Sequence, residues 1–227
     1  MSNPLEDVKK YSVGQLAALV HILGGPEAVD AILSRQKKVS LLGTAVLNPI
    51  LAAWATFYRD YLGMEVDLSS VVIPAHRSGY DRVIVIPRGL TMNQVIAAMK
   101  KHFSVYLYTN DLDRDVPINE RDPKAGAYAI RVRDRVEADE ELKNLSANQV
   151  KQLGLTTLTL LERLVYELKY YSETKSHLDV NNVTLCSGSR SSDGSVPRVY
   201  WDGSELFVSW CYSVRSRGGI RARSAVV

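Results

Sequence analysis

Residues 157–171 constrain this chain more than any other stretch. Leu158, Leu161, Leu164, Val165 and Leu168 recur at helical spacing, while Glu162, Arg163, Glu167 and Lys169 take the remaining directions. The pattern predicts a helix with one buried face, and such a helix needs a sheet to lie on. Tyr128, Ile130 and Val132 alternate with Ala129, Arg131 and Arg133 ahead of it, and two strand-like runs follow. The expected class is α+β: a helical N-terminal region, then a mixed or antiparallel sheet packed on one long helix.

The runs after that helix are residues 183–186 and a hairpin around Asp202-Gly203, with a polar loop of residues 187–195 between them. Taken as a two-residue turn, Asp202-Gly203 sets Trp201 opposite Ser204 and Val199 opposite Leu206. That register puts Val199, Trp201, Leu206, Val208 and Trp210 on one face. Upstream, Val83-Ile84-Val85-Ile86 fits a strand buried on both faces, followed by a helix from Thr91 and a strand over 105–109. Strand, helix and strand at this spacing suit a βαβ or split βαβ unit.

Helix starts are written repeatedly into the chain. Ser12 with Gln15, Thr91 with Gln94 and Ser146 with Gln149 each have capping-box spacing, and Tyr11 with Leu16 adds a staple. Gly24-Gly25-Pro26 stops the first helix and starts a second. The pair reads as a packing hairpin; a DNA-reading helix-turn-helix, helped by Arg35, Lys37 and Lys38, is the competing reading. Residues 39–58 carry no charge, so a membrane span competes with a buried helix that starts at Asn48-Pro49, runs to Leu62 and stops at Gly63. The expected organisation is a helical region over 1–66, an irregular linker over 67–82, an α+β domain over 83–213 and an Arg-rich tail over 214–227.

Charge is distributed unevenly. The 28 Lys and Arg exceed the 25 Asp and Glu by three, yet Arg215, Arg217, Arg221 and Arg223 supply +4 in the last fourteen residues, so the remainder is at −1. Such a tail can follow a phosphate backbone without reading sequence. Two cysteines, Cys186 and Cys211, in apolar surroundings point to a reducing compartment, and cytoplasmic localisation is expected.

Several groupings bear on chemistry. Asp111, Asp113, Asp115, Asn119 and Asp122 fall at positions 1, 3, 5, 9 and 12 of a calcium loop, but Val116 stands where the sharp turn needs Gly. Arg114 and Arg121 compete for those carboxylates, and a solvated acidic loop is the plainer reading. Glu137, Asp139, Glu140 and Glu141 read as a charged strand exit rather than paired acids. Cys186 with His177 could form a nucleophile and base, against a buried structural cysteine. The histidines lack HExxH spacing, the cysteines CxxC and the serines GxSxG.

The runs 127–130 and 132–146, with 159–164, 184–186 and Asp193-Gly194, resemble a family of uncharacterised bacterial proteins common in metagenomic and candidate-phylum genomes. The similarity covers mainly residues 86–227. Residues 12–35 resemble its N-terminal Gly-Gly helical motif, and 39–58 depart from its pattern. The resemblance implies no activity, cofactor or catalytic residue.

The reading favoured is a non-catalytic bacterial protein, without a cofactor, acting through protein–protein contacts or self-assembly as a homo-oligomer. Sequence-independent nucleic-acid binding through the four tail arginines is the alternative. An enzyme with an unrecognised site is the second.

Overall fold

The computed structural model describes residues 12–34 and 48–227, which fall in two compact units divided between Val46 and Leu47. In the first, α1 (Val13–Ile22) starts on the expected box: Ser12 Oγ accepts from Gln15 N at 3.2 Å, and Gln15 Oε1 accepts from Ser12 N at 2.8 Å. Gly24 and Gly25, at φ 98° and 92°, turn the chain into α2 (Pro26–Leu33) at 85° to α1. Tyr11, Arg35, Lys37, Lys38 and residues 39–47 lie outside the described residues, and with them the staple and the basic flank of the helix-turn-helix reading.

The second unit opens with α3 (Pro49–Phe57), which continues through a π-helical turn, Tyr58–Leu62, to Gly63 in the left-handed region. Asn48 Oδ1 caps it on Ile50 N at 2.9 Å. The buried helix expected here is what forms. Among the described residues no single helix is long and apolar enough to cross a membrane. Tyr58 Oη donates to Val85 O at 2.6 Å, and Leu51, Trp54 and Phe57 join the main core. The boundary expected at 67–82 is therefore absent, because that irregular segment and the helix before it pack into the same core through Leu68 and Val71.

The chain then runs through β1 (Arg82–Ile86), α4 (Met92–Met99), β2 (Val105–Leu107), α5 (Leu112–Asp115), β3 (Ile118–Asn119) and β4 (Tyr128–Val132). After a 3-10 turn at Glu140–Leu142 come α6 (Ala147–Gln152) and α7 (Leu160–Thr174). Then follow β5 (Val183–Leu185), β6 (Ser189–Arg190), β7 (Val196–Trp201), β8 (Leu206–Cys211), β9 (Ile220–Arg221) and β10 (Ala225–Val226). The class is α+β.

Three sheets form. One is antiparallel in the order β1-β4-β10, one mixed in the order β2-β8-β7-β5-β9, and β3 pairs with β6. Since β1 and β2 enter different sheets, the expected βαβ unit does not exist. Helix α7 packs against α4, β1 and β7 and so lies between the two larger sheets. That position corrects the one-faced helix: Glu162, Arg163 and Glu167, directed at solvent by the pattern, are buried along with Leu160, Leu161, Leu164, Val165 and Leu168. Its start is a fourth capping box, with Thr159 Oγ1 on Glu162 N and Glu162 Oε2 on Thr159 N at 2.8 Å.

Three further readings are corrected. The hairpin register is shifted by two, with Trp201 opposite Leu206 and Val199 opposite Val208, because Gly203 and Ser204 form the turn while Asp202 Oδ1 takes Ser204 N and Glu205 N, each at 2.9 Å. A shift of two leaves each side chain on its face, so the expected core face survives. The polar loop is exposed only at residues 192–194: Ser187, Ser189, Ser191 and Ser195 are buried, and Gly188 N donates to Leu158 O at 3.1 Å. The tail is not a separate segment either, since β9 pairs with β5 and β10 with β4.

Candidate functional site

The four tail arginines have different surroundings. Arg217 is exposed and Arg215 half-buried, but Arg221 Nη2 lies 2.6 Å from Glu140 Oε2. Arg223 is 1% exposed, with Nη2 at 2.7 Å from Asp179 Oδ1 and 2.6 Å from Val136 O, and Nη1 at 2.9 Å from Arg135 O. Arg223 is thus committed inside the protein and Arg221 is paired with the surface carboxylate of Glu140, so neither is free to follow a phosphate backbone.

Around Arg223 the fold collects a buried ionic network. Arg163 reaches Glu167 Oε2 with Nη1 at 2.8 Å and Asp179 Oδ2 with Nε at 3.0 Å, and Thr184 Oγ1 donates to the same carboxylate oxygen. Burial would raise the Asp179 pKa, but the guanidiniums of Arg223 and Arg163 outweigh it and hold it below the usual carboxylate range. The same opposition raises Arg163: burial works against its charge, and Asp179 and Glu167 more than restore it. Two cations and two carboxylates balance here, and all four side chains are buried. Paired in this way, they tie α7 through Arg163 and Glu167 to Asp179 and Arg223.

At the outer end of this network, His177 Nδ1 is 2.9 Å from Glu167 Oε1, and its ring lies flat on Trp201, 3.4 Å between centroids and 3° between planes. His177 is thus partnered with a carboxylate and stacked, with no hydrogen bond to Cys186. Cys186 is wholly buried, and burial pushes its thiol pKa far up. The nucleophile–base pairing does not form.

The acidic loop does not converge on a point. Asp113 accepts from Met92 N at 2.8 Å and Asn93 N at 3.2 Å, capping α4. Asp111 accepts from Asn93 Nδ2 and Arg114 N, while Asp115 pairs with Arg114 Nε at 2.7 Å. Hydrogen bonds from Arg114 and then Thr109 lower the Asp115 pKa to about 2. Asn119 Nδ2 donates to Val116 O, and Asp122 caps its own turn through Lys124 N. No cluster of metal-ligating side chains occurs among the described residues.

A more open arrangement lies on the five-stranded sheet. Tyr106 of β2, Phe207 of β8 and Tyr200 of β7 face each other across strands, with centroids 4.5 and 5.3 Å apart and planes within 22°. Such rings stand side by side, each covering its neighbour. Helix α6 shields the adjoining part of this face over Leu185, Val196 and Cys211, whereas Tyr106 stays 42% exposed and Tyr108 64%. Leu206 N donates to Ser104 O at 2.9 Å and Tyr108 N to Val208 O at 3.2 Å, so residues 104, 106 and 108 direct their main chain to β8. Val105 and Leu107 direct theirs the other way, where β2 is the sheet edge among the described residues. Lys100, Lys101 and His102 line an open cleft with Val105 and Glu205 at the start of β2, and the acidic loop follows its end.

No family model, curated protein or solved structure matches this chain. The buried network had no signal in the sequence, since Arg163 and Glu167 at i,i+4 spacing look the same on a solvated helix face. The open edge had a weak one: Tyr106 and Tyr108 alternate with Val105 and Leu107, a strand with apolar side chains on both faces.

Proposed function

We propose that this chain is a non-catalytic protein that acts through protein–protein contacts by self-assembly, with the open side of the five-stranded sheet as its contact surface. The observation that carries the reading is the β2 edge, unpaired among the described residues, beside Tyr106, which is 42% exposed at the end of an otherwise stacked row. An open strand edge is a template for pairing, and exposed aromatic side chains are typical anchors of protein interfaces. The buried ionic groups support a structural role by their inaccessibility. A bacterial source rests on the resemblance of residues 86–227 alone. Sedimentation of the full chain over a range of concentrations tests the reading. Mass above the monomer that decreases in Tyr106→Glu is expected, and a species that stays strictly monomeric overturns it.

A further inference from the structure

We propose that the β2 edge pairs with β2 of a second copy, antiparallel about a two-fold axis at Tyr106. This rests on the self-assembly reading above and adds its geometry. Only Val105 and Leu107 of β2 turn N–H and C=O groups outward. A register with Val105 opposite the second copy's Leu107, and Leu107 opposite its Val105, uses both residues of both strands and forms four main-chain hydrogen bonds.

Tyr106 then faces the second copy's Tyr106 as the central non-hydrogen-bonded pair. That contact covers the ring face left free at the end of the Tyr200–Phe207–Tyr106 row and joins two three-ring rows into one of six.

Charge selects a second copy and this direction. Lys100 and Lys101 precede β2 and Glu205 shares the cleft at its start, while Asp111, Asp113, Arg114 and Asp115 follow it, so the strand is +1 at its start and −2 at its end. Antiparallel pairing sets each basic end beside the acidic end of the other copy, with Lys101 level with Asp111 in this register; parallel pairing would oppose like charges. Because β2 spans three residues, main-chain bonds alone make a weak contact, and the aromatic pair and the two charged ends must hold it.

The test uses the full chain and two kinds of variant. Paired cysteines at a non-hydrogen-bonded position have Cα atoms about 4.5 Å apart, within disulfide reach. The double variant Ser104→Cys/Tyr108→Cys, which keeps Tyr106 and sets each new cysteine opposite the other one in the second copy, should give a covalent dimer on mild oxidation, whereas Tyr108→Cys alone, which faces the second copy's Ser104, should not. The native Cys186 and Cys211 are buried and do not compete. Val105→Pro removes an outward N–H that β8 does not use, so it should abolish the dimer while leaving circular dichroism unchanged. An assembly that survives Val105→Pro and never cross-links through Ser104→Cys/Tyr108→Cys would overturn this pairing and leave self-assembly standing. A monomer at every concentration would overturn both.

Discussion

Arg223 holds its Nη2 2.7 Å from Asp179 Oδ1, and neither side chain is accessible to water. A residue four from the C-terminus thereby closes the network that begins on α7. Arg223→Met should cost about 3–5 kcal/mol, since it leaves Asp179 with only Arg163 and strips donors from the Arg135 and Val136 carbonyls. The exposed Arg217→Met should stay within about 0.5 kcal/mol. Urea unfolding of both variants checks this. Deleting residues 214–227 should unfold the domain, because it removes β9 and β10 as well.

Acid should weaken the fold through the same pair. The folded-state pKa of Asp179 is lowered against the burial that opposes it, by Arg223 and Arg163. A depressed folded-state value means that the stabilisation is complete above the unfolded value of about 4 and is lost as pH falls through the folded one. The urea midpoint should therefore hold down to about pH 5 and fall below about pH 4. Asp179→Asn should begin lower at neutral pH and show a flatter acid limb.

Two glycines should resist substitution for different reasons. A Cβ on Gly188 would stand 3.0 Å from Thr157 O and 3.1 Å from Leu158 O, so Gly188→Val should cost about 1–3 kcal/mol or more through backbone displacement. Gly203 sits at φ 103° in the hairpin turn, where Gly203→Val should cost more than about 1 kcal/mol. Gly126→Ala, with open space around its Cβ, is the neutral control. Melting temperatures in the order Gly126→Ala above both valine variants are expected.

Any binding to duplex nucleic acid should depend only weakly on salt through the tail. With Arg221 and Arg223 engaged internally, Arg215 and Arg217 can neutralise at most two phosphates. Their log–log slope should then be no steeper than about −1.8, where four free arginines would give about −3.6. A salt titration of the full chain reads this directly.

Short-range chemistry made much of this chain legible. The boxes at Ser12 and Gln15, Thr91 and Gln94, and Ser146 and Gln149, and the Asn48-Pro49 start, form as read because both partners lie within one helical turn. The hairpin face was legible and its register was not. Both registers differ by an even step, so alternation cannot separate them, and the Asp202 carboxylate decides between them.

What lay beyond the sequence is whatever depends on a distant neighbour. Glu162, Arg163 and Glu167 are buried because α7 lies between two sheets, and no helical pattern records what covers its polar side. Arg223 became a core residue only when β10 joined β4, and β2 became an edge only when β1 entered the other sheet. Local hydrogen bonds select the elements of this protein, while long-range pairing selects which charges are buried and which strand is left open.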